Sequence, residues 1–299
     1  MQAIFTSRNL AIIGLVLTSL FWAGNIFISK ILVGVVPPFT LNVLRWLIAV
    51  LILTPFSWKP MLSAWPIIKA SWIKLSIYGF LGVTIYNAFL YNAAYTTEGI
   101  NIAVISTVTP LLTFIFVWLF FGNKPSGSQM LGFVFGIVGV LLLLSKGSFS
   151  AFAELNFRRG DLWMLTACLC WAIYTAYLIK KPNGLSPIVF MYITTIIGLL
   201  LALPTAGWEW QEGNVHFALN KTIILSLIYI GLFPSVLSYL FFNYGVAVLG
   251  SQTAALGAYL IPIFTGVIGV IFLNESVYWF HIVSQILVFI GFYLGLSKR

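Results

Sequence analysis

Ten apolar runs recur along the chain with short polar stretches between them, at roughly 10–30, 39–56, 72–94, 100–121, 128–145, 161–179, 187–204, 221–244, 251–273 and 278–296. A helix that crosses the hydrocarbon layer of a bilayer needs about 20 mostly apolar residues, so each run predicts one spanning helix. The longest connections, 57–71, 146–160 and 205–220, are too short to hold a separate folded domain. Ahead of the first run stands one basic residue, Arg8, and no small-x-small cleavage site follows it. That run therefore reads as a retained span and not as a leader.

The fourth run carries Pro110 near its middle, with Ser106, Thr107, Thr109 and Thr113 around it. A central proline removes one backbone hydrogen bond and clashes with the carbonyl four residues earlier. In lipid such a break survives only where protein or a water-filled cavity satisfies the freed groups. The same pattern returns 152 residues later: Ala103 as Ala255, Pro110 as Pro262, Thr113 as Thr265 and Phe120 as Phe272. The register runs back to Gly79 and Gly231 and on to Gly139 and Gly291. Earlier in each half the offset is 149, pairing Leu20-Phe21-Trp22-Ala23 with Leu169-Cys170-Trp171-Ala172, and Pro38 with Pro187. Residues 1–149 and 150–299 thus read as two five-helix repeats. An odd number of spans per half inverts the second against the first. Paired breaks at corresponding places of inverted repeats are a sequence pointer to a transporter's binding site. The expected fold class is an all-α polytopic membrane protein of ten transmembrane helices.

Composition narrows the function. The chain is 61% hydrophobic and 7% charged, against about a quarter charged in soluble domains. A net charge of +9 would suggest a nucleic-acid partner in a soluble protein, but here the charges sit in short loops. With the N-terminus inside, nine lysines and arginines fall in inner segments and five in outer ones, which favours both termini in the cytoplasm. Cys168 and Cys170 are two apart in one run and do not face each other on a helix. The acids, Glu98, Glu154, Asp161, Glu209, Glu212 and Glu275, lie in loops or at helix ends. No span has a carboxylate near its middle to relay protons, which favours facilitated or gradient-driven transport. His216 and His281 are far apart. No metal site, cofactor, nucleotide-binding motif or catalytic cluster is expected, so the reading is a non-enzyme.

Polar and aromatic stripes give the candidate site. Thr18, Trp22, Asn25 and Ser29 share one face of the first helix, and Ala167, Trp171, Tyr174 and Leu178 the matching face of the sixth. Tyr78, Gly82, Tyr86 and Phe89 share a face of the third, and Tyr259 stands three residues before Pro262. With Trp163, Ser106 and Thr107 these would form an aromatic pocket holding few hydrogen-bonding groups. The competing reading is packing between helices, or interfacial placement for Trp163. Arg45 in the second helix needs a partner, and Glu98 and Glu275 lie on its side of the membrane. It is either a carboxylate-capturing or gating group or half of a structural ion pair. Gly132-x-x-x-Gly136 and Gly291-x-x-x-Gly295 permit close helix contact within a monomer, or in a dimer.

Trp22-Ala23, the Pro38…Arg45 spacing, Ala103…Pro110 with its repeat Ala255…Pro262, and Leu273-Asn274-Glu275 together resemble the EamA-type branch of the drug/metabolite transporter superfamily. The likeness covers nearly the whole chain. It departs where Phe121-Gly122-Asn123 replaces Leu-x-Glu, and where Thr194 stands opposite Arg45. The resemblance implies a central cavity lined by helices one, three, four, six, eight and nine, with five and ten behind. It also implies alternating-access export of amino acids or related small metabolites across a bacterial inner membrane. A nucleotide-sugar, sugar-phosphate or drug carrier is the alternative cargo class, and a channel the alternative mechanism.

Overall fold

The computed structural model describes residues 7–32, 34–97, 99–148, 158–212, 219–273 and 278–297. Among the described residues ten helices are long and apolar enough to cross a membrane. They are α1 (Ser7–Ser29), α2 (Pro38–Ser63), α3 (Trp72–Thr96), α4 (Asn101–Phe121) and α5 (Gly127–Leu144) in the first half. The second half holds α6 (Arg159–Lys180), α7 (Pro187–Gln211), α8 (Lys221–Leu249), α9 (Ser251–Ile271) and α10 (Trp279–Leu296). The protein is an all-α polytopic membrane protein.

Start and stop signals are local. Pro38 and Pro187 open α2 and α7, where a missing N–H costs nothing. Ser126 and Gln129 cap the start of α5 reciprocally, and Asn220 accepts from the Ile223 N–H at the start of α8. Gly122 ends α4 with φ +71. Glu209, near the end of α7, caps α2 by accepting from the backbone N–H of Phe39 (3.2 Å) and Thr40 (2.7 Å) and from the Thr40 hydroxyl (2.6 Å). The eighth helix runs past its sequence-based end at 244 to Leu249, and two apolar runs continue through prolines beyond theirs. Helix α2 passes through Pro55 and Pro60 to Ser63, and a short helix Trp65–Ala70 fills much of the expected connection. Helix α7 passes Pro204 and reaches Gln211. Prolines inside a membrane span are tolerated where neighbouring helices, hydroxyl side chains or local helix adjustments satisfy the freed backbone groups.

The first helices of the two halves run in opposite directions. At one end of the bundle the Arg8 guanidinium, at the start of α1, donates to the Leu296 carbonyl at the end of α10 (2.5 Å). At the other end Asp161, at the start of α6, accepts from Thr97 Oγ1 (2.6 Å) and Asn101 Nδ2 (2.9 Å), beside the α3–α4 corner. Contacts between helices follow the same inverted symmetry: α1 packs on α8 and α9, and α6 packs on α3 and α4. Helix α2 lies against α7, and α5 against α10. Glycines set the α5–α10 approach, since a Cβ on Gly132 would meet the Gly291 carbonyl at 2.5 Å and one on Gly291 the Gly132 carbonyl at 2.6 Å. The two small-residue motifs therefore face each other within one chain.

Candidate functional site

Among the described residues four spans depart from regular α geometry inside their length, in two matched pairs, while α6 only tightens to a 3-10 turn at its end. Helix α3 widens to a π-helix over Phe80–Ile85 and α8 over Leu232–Leu237, at corresponding places of the repeat. Such bulges are rare and concentrate at functional sites. Helix α4 turns irregular at Thr107 and Val108 before Thr109–Phe121 resumes, and α9 tightens to a 3-10 turn over Gly257–Tyr259. The second pair sits just ahead of Pro110 and Pro262, where the sequence places its breaks.

At each departure a backbone carbonyl accepts from a side chain of the other half. The Tyr259 hydroxyl donates to the Thr107 carbonyl (2.9 Å), its own repeat counterpart. Ser19 Oγ of α1 donates to the Gly257 carbonyl (2.9 Å), and Cys168 Sγ of α6 to the Ile105 carbonyl (3.8 Å). Those two donors occupy matching places, as do the two acceptors. The Tyr239 hydroxyl caps Gly82 O in one π segment (2.5 Å). Trp22 Nε1 (3.2 Å) and Arg45 Nη2 (3.1 Å) both donate to Pro234 O in the other. An uncapped buried carbonyl costs about 1–3 kcal/mol.

The expected cavity-lining residues fall into two groups, with Trp163 and Asn25 apart from both. Trp22 and Trp171, repeat counterparts, meet edge to face at 5.2 Å between centroids. Around Trp171 lie Tyr86 at 4.8 Å and Tyr174 at 5.1 Å, and Tyr78 reaches Tyr174 at 6.1 Å. Trp22 and Tyr86 are half-buried and the rest of this cluster is buried. The second group is the pair of breaks, Ser106, Thr107, Pro110, Tyr259 and Pro262. There Ser106 and Thr107 turn their hydroxyls onto carbonyls of their own helix, Ile102 (2.5 Å) and Val104 (2.6 Å). Trp163 stands apart at the start of α6, against Phe89 at 4.7 Å. Asn25 joins a buried polar network, accepting from the Tyr91 hydroxyl (3.4 Å), and on the opposite side Asn243 accepts from the Tyr174 hydroxyl (3.0 Å).

Arg45 is 1% exposed and donates to Asn87, Tyr91, Ser235 and Pro234. Glu98 and Glu275, its expected partners, lie outside the described residues. Sequence reading missed Tyr239 and Phe242, which pack on Trp171 at 5.5 and 5.2 Å, and the Asn87–Tyr91 pair. Asn87 and Tyr239 are repeat counterparts of unlike type, so the signal existed only as an offset. A separate cavity of about 420 Å³ opens at the end of the bundle where α1 begins and α10 ends. It is lined by Arg8, Ser126, Gln129, Thr253, Leu296 and others, and by none of the expected site residues.

The sequence profile of the EamA-like transporter family matches residues 9–145 and again 158–297. The chain belongs to this family. An uncharacterized transporter of Archaeoglobus fulgidus is 26% identical over 95% of this chain and 96% of its own. The uncharacterized transporter YyaM of Bacillus subtilis is 27% identical over 74% of this chain and 71% of its own. A protein crystal structure at 16% identity superposes with a TM-score of 0.74, covering 96% of this chain and 95% of that one. This EamA-like protein is thus a multi-pass membrane transporter.

Proposed function

We propose that this transporter exports amino acids or related small metabolites by alternating access, with 1–149 and 150–299 as the two rocking halves and the cluster around Trp22 and Trp171 as the cargo site. The observation that carries the reading is the meeting of those two repeat-related tryptophans, at 5.2 Å, beside both π segments. The carbonyls of Gly82, Ile105, Thr107, Pro234 and Gly257 each accept from a side chain of the other half, so a shift of either half exchanges these bonds. Aromatic walls suit a variable apolar side chain, and ring faces attract an ammonium group. The setting is a bacterial inner membrane, with both termini in the cytoplasm. In proteoliposomes Trp22→Ala or Trp171→Ala is expected to cut amino-acid flux at least tenfold while the protein still elutes as a folded species. Wild-type protein that moves no amino acid, or full flux in both variants, overturns the proposal.

A further inference from the structure

Arg45 is a fully buried cation held by neutral groups alone among the described residues. Its Nε donates to Ser235 Oγ (2.6 Å), Nη1 to Asn87 Oδ1 (2.7 Å) and the Tyr91 hydroxyl (2.8 Å), and Nη2 to the Pro234 carbonyl (3.1 Å). A charge taken out of water is expensive, and neutral acceptors satisfy its protons without cancelling it.

The repeat supplies an internal control for a purely structural role. At the matching place in α7, Thr194 turns its hydroxyl onto Phe190 and Met191 of its own helix. Yet the helices close there just as tightly, since a Cβ on Gly79 would meet the Thr194 carbonyl at 2.7 Å. Around Arg45 itself, Gly231 of α8 packs in the same way against Ile48 and the Arg45 backbone of α2. The junction forms without an arginine, so packing does not explain the charge.

Position supplies the rest. Trp22 Nε1 and Arg45 Nη2 share the Pro234 carbonyl, so the guanidinium lies one acceptor behind the aromatic cluster. We infer that Arg45 is the carboxylate subsite of the cargo pocket, and this rests on that cluster being the cargo site. In the empty state Asn87 Oδ1 and Pro234 O occupy the donors that a carboxylate would take as a bidentate pair. One guanidinium matches one negative charge, so the class favoured is a monoanionic carboxylate with an apolar or aromatic body.

The test is calorimetric binding to purified protein of four probes: phenylalanine, phenylalaninamide, phenethylamine and 3-phenylpropionate. Wild-type protein is expected to bind phenylalanine at least tenfold tighter than its amide. Arg45→Thr, which installs the residue used by the second half, is expected to erase that preference. Asn87→Asp places an internal carboxylate on the guanidinium; it should leave the melting temperature unchanged or higher and weaken phenylalanine at least tenfold. A structural ion-pair role predicts the same stability with binding untouched, so this variant decides the matter even if Arg45→Thr fails to fold. Equal binding of phenylalanine and its amide to wild-type protein overturns the inference, as does an Asn87→Asp protein that keeps the full preference. Wild-type protein that binds neither carboxylate also overturns it. Tight binding of 3-phenylpropionate with none of phenylalanine keeps the subsite and removes the amino-acid reading.

Discussion

A carbonyl released from a helix inside an apolar layer has no water to turn to, and the residues that answer this need tie the molecule together. Tyr239 is the plainest case: its ring packs on Trp46 and Trp171 while its hydroxyl caps Gly82 O. Tyr239→Phe keeps the ring and removes the cap, so it is expected to cost about 1–3 kcal/mol, read as a lower melting temperature in detergent. Cys168→Ala on the matching side of the α4 break should cost less, because a thiol is a weak donor and its contact is 3.8 Å. Trp22 and Trp171 were legible in the sequence because the repeat conserves their type. Tyr239 was not, because its counterpart is Asn87 and the two meet only through the fold, at 3.3 Å.

Helices α5 and α10 approach through glycine, and the geometry separates glycines that matter from those that do not. Gly291→Ala would push a methyl into the Gly132 carbonyl at 2.6 Å, and is expected to cost about 1–3 kcal/mol or to lower folded yield. Gly207→Ala in α7 meets nothing within 4 Å and should be neutral or stabilising by up to about 1 kcal/mol. Thermal unfolding of both variants side by side checks the contrast. The glycine spacing was visible in the sequence, but its partner helix was not, since a small-residue stripe fits a neighbour in the same chain or in a second copy equally well. The π segments left no sequence signal. Phe80–Ile85 and Leu232–Leu237 share position but little residue type, with Gly82 opposite Pro234.

Both described ends of the chain meet at one end of the bundle, so one orientation measurement places the whole molecule. The proposed topology, argued from the basic-residue asymmetry, has that end in the cytoplasm. Single cysteines introduced at positions 2 and 299, in a background with Cys168 and Cys170 replaced by alanine, should resist a membrane-impermeant thiol reagent in intact cells. They should react after permeabilisation. Labelling of either position from outside would reverse the topology and move Arg45 to the inner half of the pathway.

Span number, the inverted relation of the halves and the places of the proline breaks were determined by sequence alone. Each rests on a local or periodic property: apolar length against bilayer thickness, parity of spans, and proline chemistry. Helix ends were less legible at Pro55, Pro60 and Pro204, where packing overrides a breaker. Only the tertiary structure decided what the broken helices do with their freed carbonyls. It brings together groups far apart in the chain, Tyr259 with Thr107, Trp22 and Arg45 with Pro234, and Tyr239 with Gly82. Those pairings join unlike residues across an inverted repeat, and no spacing along one helix encodes them.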